Sequence, residues 1–446
     1  MRLKRVGIGV AVVVIAAVIY TLSLGSDQLT QVLKEKVNQE LQTLQSQGFA
    51  IEDREISRNR EHFTIVVKES EKIARYLNRE GVAITDEESA SLQGLKIGVD
   101  LLYLKDSSTA LSFDLYPTSF PDAVTEGELS SEEKEALAKF DALFRAKTFL
   151  VHIDINALFN GFKGYVKDID ETLGKPGEEA TMQMKAMRFQ GEIDNGKISS
   201  VDQRLERFLI KAGDELLFEL LGITSHYNIT GPTRYDTTAR YAIGKISYKE
   251  ASKRGITIEN METRIATLMQ NGLADSEVSA KVHALSLSDE NQTRKITDFA
   301  LDMKVSNLDI KSFEALQQTD ASDQQQIDRI VQKILSGGLS INIPNLSVDK
   351  FYTAGSALDG FALNGKFAID KNLNLADLQA NPMLGLHAIS ADLNLSFSES
   401  FHTFISQQPQ ALITMMMFRP KEKNGNKVYR IKLQNGLFNV NGVPLQ

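Results

Sequence analysis

Short stretches in which apolar and polar residues alternate recur along most of the chain. They include "HFTIVVK", "GLKIGVDLLYL", "TALSFDLYP", "FLVHIDI" and "MKAMRFQGEI", then "ITSHYNIT", "VSAKVHALSL", "DFALDMKV", "GFALNGKFAID" and "HAISADLNLSF". A period of two, in segments rich in β-branched and aromatic residues, predicts strands with one face turned to a core. Asn195-Gly196, Asn364-Gly365 and Asn435-Gly436 predict tight hairpin turns, because both central residues of a type I′ turn need positive φ. The architecture expected is therefore mainly antiparallel. At the last pair, counting outward sets Gln434 against Leu437, Leu433 against Phe438, Lys432 against Asn439 and Ile431 against Val440. Leu433, Phe438, Ile431 and Val440 then share one face of a closing hairpin, with a polar face opposite.

Helical spacing interrupts the strands. In "SDQLTQVLKEKVNQELQTLQ", Ser26 is placed to cap, and Leu29, Val32, Leu33, Val37, Leu41 and Leu44 recur on one side. This predicts an amphipathic helix packed on the domain. It leaves a homo-oligomer open, although the spacing is not a sustained heptad. "SSEEKEALAKFDALF" carries a capping box from Ser130 to Glu133, and "SDQQQIDRIVQKILSGG" repeats it with Ser322 and Gln325. "SESFHTFISQQPQALITMMMF" is a third helical stretch, split by Pro409. Its end, Met415, Met416, Met417 and Phe418, has two readings. One is a core-facing helix. The other is an apolar groove for lipid or an unfolded partner, since methionine adapts to irregular apolar surfaces. Gly231-Pro232 marks a boundary between a first region, 26–230, and a second, 231–446.

The beginning of the chain changes the setting. In "MRLKRVGIGVAVVVIAAVIYTLSLGS", Arg2, Lys4 and Arg5 precede an uncharged run from Val6 to Leu24. Nineteen helical residues would span roughly 28 Å, the thickness of a bilayer core. Residues 1–25 are thus expected to be a cytoplasmic tip and single-pass anchor, with the lipid bilayer as partner of residues 6–24 and the remainder exported. A cleaved signal peptide, with a site near Ser23-Leu24-Gly25, is the competing reading. Three of the 50 basic residues lie in the first five positions, leaving 47 against 58 acidic ones. An acidic body is a poor partner for nucleic acid or for an anionic membrane surface, and the balance serves solubility.

Signatures of chemistry are sparse. With no cysteine, disulfides, thiol catalysis and cysteine-ligated metals are excluded. The six histidines, His62, His152, His226, His283, His387 and His402, form no short ligand spacing. There is no Gly-x-Ser-x-Gly elbow and no P-loop, and Gly7-Ile8-Gly9 falls inside the expected anchor. No cofactor is expected. Asp168/Asp170 and Glu178/Glu179 read as loop charges. A hydrolase acting on glycans or lipids would need two facing carboxylates, or a histidine beside a serine, assembled by the fold.

Three fragments carry a resemblance: "VSNLDIKSFEAL", "INIPNLSVDKFYTAGSALDGFALNGKFAI" and "IKLQNGLFNVNGVPL". Their order is an anchor, a long β-rich body, Asn307-Leu308-Asp309 before a short helix, and a final Asn441-Gly442-x-Pro444-Leu445. This resembles the YdgA-like family of bacterial cell-envelope proteins. The resemblance implies a bacterial inner-membrane protein with its main domain in the periplasm, and it assigns no catalytic residues. The expectation is an α+β protein. A single N-terminal transmembrane helix would precede a large, mainly antiparallel β-rich body with interspersed amphipathic helices. A non-enzymatic envelope protein would bind a lipid or protein client along a sheet–helix groove. The alternatives are a scaffold acting through sheet edges and the 26–45 helix, or a glycan or lipid hydrolase.

Overall fold

The computed structural model describes residues 29–446 except 80–83, 126–129, 175–178, 252–253, 291, 318, 320–322, 354–355, 376–384, 386, 409–417 and 445–446. The chain divides into two compact units, Met1–Gly213 and Asp214–Gln446. The division falls in the turn after β10 (below). Gly231-Pro232 lies further on, in the connection between β11 and β12, where the buried Asp236 accepts hydrogen bonds from the Thr233 N–H (2.8 Å) and hydroxyl (2.6 Å) and from the Met269 N–H (2.7 Å).

The first unit holds β1 (Phe49–Ile56), β2 (Arg60–Val67), β3 (Lys96–Tyr103), β4 (Thr109–Ser119), β5 (Val151–Asn156), β6 (Gly161–Val166), β7 (Ile169–Leu173), β8 (Ala180–Lys185), β9 (Arg188–Asp194) and β10 (Lys197–Ala212). They pair antiparallel in the order β1-β2-β3-β4-β5-β6-β9-β10. β10 continues past β9 to pair with β8, which carries β7. Its helices are α1 (Leu29–Ser46), α2 (Ser70–Arg79), α3 (Asp86–Ala90), α4 (Asp122–Thr125) and α5 (Ser131–Arg145).

The stripe on α1 does what its spacing predicts: Leu33, Val37, Leu41 and Leu44 are buried with Phe63, Val99 and Phe113 of the sheet. Lys34 Nζ donates to the carbonyls of Ser57 (2.8 Å) and Arg58 (3.0 Å), fixing the helix over the β1–β2 turn. The stripe from Leu33 to Leu44 is thus spent within its own domain. The Ser130 capping box closes as expected, with Glu133 N–H on Ser130 Oγ (3.2 Å) and Ser130 N–H on Glu133 Oε2 (2.9 Å). Phe140 and Phe144 of α5 pack on Phe120 and Phe149. At the sheet's centre Leu101, Phe113 and Ile153 stand side by side in register and are 2%, 0% and 1% exposed.

The second unit holds β11 (Leu216–Ile229), β12 (Thr237–Glu250), β13 (Gly255–Gln270), β14 (Leu273–Asp289), β15 (Gln292–Leu308), β16 (Ser340–Thr353), β17 (Ser356–Ile369), β18 (Ile389–Ser398), β19 (Lys421–Lys423), β20 (Asn426–Gln434), β21 (Leu437–Val440) and β22 (Val443–Pro444). Its helices are α6 (Ile310–Gln317), α7 (Gln324–Leu335) and α8 (Glu399–Ser406). From β11 to β18 each strand pairs antiparallel with the next, and β18 then pairs with β20, which carries β19 and β21. β14 and β15 have 17 residues each, about 55 Å of strand, where five or six residues is usual.

Two findings overturn the expected fold class. Strand makes up 58% of the described residues and helix 21%, so the architecture is a large antiparallel sheet fold rather than the α+β class expected. No helix among the described residues is long and apolar enough to cross a membrane. The run 6–24 lies outside the described residues. The physical reason for the first correction is strand length. In the second unit, segments that read as short strands, such as "VSAKVHALSL" in β14 and "DFALDMKV" in β15, are parts of much longer ones.

The turns also differ in part. Asn195-Gly196 and Asn435-Gly436 both take positive φ and join hairpins, and the last hairpin has the expected register from Gln434↔Leu437 to Ile431↔Val440. Asn364-Gly365 is not a turn. It lies inside β17, where Asn394 Nδ2 donates to Asn364 Oδ1 (3.2 Å) and a Cβ on Gly365 would meet the Asp392 carbonyl at 2.5 Å. α7 is capped by Asp323, whose carboxylate accepts from Gln326 N–H (3.0 Å). Ser322, the cap expected from sequence, lies outside the described residues.

Candidate functional site

The second unit's sheet has one apolar face, and its register shows how that face is kept. Ile223, Ile243, Met261 and Val282 form a row across β11–β14, with Phe299 next in line on β15. A parallel row further along the strands runs Leu220, Ile246, Ile258, Leu285, Ile296 and Phe351. The two rows are three residues apart on every strand. In a regular strand, residues three apart point to opposite faces. Between the rows, alternate strands carry a left-handed residue: Gly222 (φ +62°), Asn260 (φ 50°) and Asp298 (φ 51°). Gly244 and His283 occupy the strands between, and His283 Nδ1 lies 2.9 Å from Asp298 Oδ1. This line is a crease that turns each strand over.

The aromatic contacts confirm the turnover. Phe351 lies on the far side of the crease and Phe361 on the near side, with opposite parity by register. Both nonetheless meet Phe401 of α8, at centroid distances of 6.0 and 5.4 Å. One apolar surface therefore continues across the crease. Glycine, asparagine and aspartate are the residues that adopt left-handed φ at least cost, so they mark the line.

Among the described residues this surface is not closed as a core. Its large side chains on β11–β15 stay half-buried, and Tyr241, Ile256 and Leu287 are 41%, 42% and 46% exposed. Over β16–β18, Phe401 and Phe404 of α8 cover part of it. At its other end Phe418 packs at 6.3 Å from Phe438 of the closing hairpin. Of the four residues expected to line a groove, Phe418 thus reaches the apolar face, and Met415, Met416 and Met417 lie outside the described residues.

The first unit gathers titratable groups on its polar face. One register row runs His62, Asp100, Asp114, His152, Tyr165 and Arg188 across β2–β6 and β9, in a depression of about 780 Å³. His62 Nδ1 lies 2.7 Å from Asp100 Oδ1, and Lys147 Nζ donates to Asp100 Oδ2 at 2.5 Å. Burial pushes the Asp100 carboxyl up, but Lys147 and His62 outweigh it and hold it below the usual carboxylate range. Asp154 is likewise pushed up by burial and brought below that range by Ser112 and Lys105. Burial acts to lower the Lys147 ammonium, which its bonds with Asp100 and Tyr116 raise.

Asp100 and Asp114 are directly opposed, the facing carboxylates that glycoside hydrolysis would need. Of such a pair, Asp100, held low, fits the ionised member and not the acid. Ser112 Oγ donates to Asp154 (2.7 Å), while His152 turns Nδ1 to Asp114 (2.6 Å) and Nε2 to Asp154 (3.2 Å). No ring nitrogen of His152 is aimed at the serine, so the cluster is an ion-paired network and not a nucleophile–base pair. This row was not foreseen. Its signal was a polar residue at matching positions of five alternating segments, legible only once the register is known. Among the described residues no group of histidine and carboxylate side chains is arranged to hold a metal.

Compared with protein-family models, curated proteins and solved structures, the chain matches none.

Proposed function

We propose that this is an envelope protein held at a membrane through residues 6–24, with the residues beyond them exported, and that its second unit binds the acyl chains of lipid along the apolar sheet face. The observation that carries the reading is the half-exposed apolar surface spanning β11–β18, kept on one side by the crease. A protein gains nothing by turning every strand over unless the surface must stay continuous. The occupant's chemistry follows from what the surface lacks. An extended polypeptide brings an N–H and a C=O per residue that need partners, and a sheet face of Ile243, Met261, Val282 and Phe299 offers none. An acyl chain needs only apolar contact, worth about 0.8 kcal/mol per buried methylene. The basic start, the uncharged run and the YdgA-like fragments support the location.

The test is titration of the delipidated full chain with a phospholipid carrying a fluorescent acyl chain, beside the double variant Met261→Glu, Val282→Glu. Saturable binding that weakens at least tenfold in the variant, with the first unit's hydrogen-exchange protection unchanged, is the expected result. Equal binding by both proteins would end the acyl-chain reading.

A further inference from the structure

The polar face of the second unit carries a different feature, separate from the apolar surface on the other side of the sheet. In one register row, His226 of β11 stands beside Arg240 of β12, Arg264 of β13, Ser279 of β14 and Asp302 of β15. Arg240 and Arg264 are directly opposed and both exposed. Like charges directly opposite across two strands destabilise the pair. Elsewhere on this face the sheet pairs opposite charges: Lys304 with Glu277 (3.1 Å), and Arg430 and Lys432 with Asp392 (3.1 and 3.3 Å). The two arginines have no such partner among the described residues. The one carboxylate in their row, Asp302, accepts from Ser279 Oγ at 2.7 Å. They border a depression of about 690 Å³ whose walls also include Thr238, Lys304, Asn342 and the carboxylates Glu277 and Asp302, the first of which Lys304 neutralises.

We propose that Arg240 and Arg264 form a binding site for a phosphate group. Each guanidinium offers a planar fork that matches two oxyanion oxygens, and two forks from neighbouring strands can hold one tetrahedral anion. The geometry favours phosphate over carboxylate: two guanidinium forks can each engage a different pair of oxygens of one tetrahedral oxyanion, and a carboxylate has only two oxygens to offer both. The phosphate could belong to a soluble ester or to a lipid headgroup. A lipid lying with its chains on the opposite face of the sheet could not present its headgroup here, so the site takes a second ligand.

The test uses the full chain, with inorganic phosphate as the probe in chloride buffer of matched ionic strength. Binding of one phosphate per chain is expected, weakened tenfold or more in Arg240→Gln and Arg264→Gln and less in Arg264→Lys. Lys249→Gln, on a distant exposed residue, should leave it unchanged. Removing either arginine relieves the opposed charges, so both Gln variants should also melt at a higher temperature than wild type in phosphate-free buffer, while losing the rise that phosphate gives wild type. Vesicles of phosphatidic acid against phosphatidylcholine form the second arm. Arginine-dependent capture of the former alone would assign the phosphate to a lipid headgroup. If the Gln variants bind phosphate and phosphatidic acid as wild type does, or if wild type binds neither above chloride background, the proposal is wrong.

Discussion

Phe113 and Phe299 are both phenylalanines in the interior of an antiparallel strand, on the apolar face of their sheets. Phe113 is 0% exposed, under a layer in which Val37 and Leu41 of α1 are also buried. Phe299 stays half-buried. The same alternation thus serves two ends. In the first unit the apolar face is covered by its own helices and becomes a core. In the second it remains a surface. Apolar periodicity says which face is apolar, and the presence of a covering layer decides whether that face is structure or site.

Substitutions should separate the two directly. Phe113→Ala empties a closed core and should cost about 3–5 kcal/mol in chemical denaturation of the first unit. The closing hairpin comes next. Phe438→Asp places a charge among Leu433, Val440 and Phe418 and should cost about 2 kcal/mol, whereas Asn439→Ala on the polar side should change little. Equal midpoints for those two variants would refute the register. Phe299→Ala should cost only about 1–2 kcal/mol, because part of its surface already meets solvent. A loss as large as that at Phe113 would mean the second face is a core after all. Asn260→Val forces a β-branched residue into left-handed φ and should cost about 1–2 kcal/mol, while Asn260→Gly should be nearly neutral.

The smallest effect concerns pH. Asp100 and Asp154 have depressed folded-state values, so their stabilisation is complete above the unfolded carboxylate range and is lost as pH falls through the folded-state values. Lys147 is raised, so its contribution is complete below its unfolded value and is lost as pH rises through the folded one. Asp100 and Lys147 are partly solvent-exposed, which limits each to about 0.5–1 kcal/mol. Asp100→Asn should flatten the acid limb of the first unit's stability and leave the second unit's unchanged.

Much of the antiparallel design was legible in the sequence. The Leu33-to-Leu44 stripe, the Ser130 box and the terminal hairpin follow from local periodicity and turn chemistry, and local rules are what a sequence displays. The long strands were not legible as single elements. The apolar parity of "GITIENMETRIATLMQ" changes at Asn260, and a fixed period of two reads that change as a break. The sign was present: glycine, asparagine or aspartate stands where parity shifts on β11, β13 and β15, and alignment of the strands is needed to see that these points form one line. Asn364-Gly365 failed for the converse reason. A turn dipeptide was overruled by pairing on both sides, with β16 and with β18. The phosphate row and the first unit's His–Asp row were hidden because each draws one residue from each of several strands.

The apolar face of the second unit is proposed to receive acyl chains. The most direct test is photocrosslinking of the full chain with a phospholipid bearing a photoreactive group in its acyl chain, mapped by peptide mass spectrometry. Beyond residue 28, crosslinks should fall on Ile243, Met261, Val282 and Phe299 and disappear with excess unlabelled lipid. Crosslinks spread evenly over residues 29–213, or placed on Glu262 and Lys281 of the polar face, would contradict it.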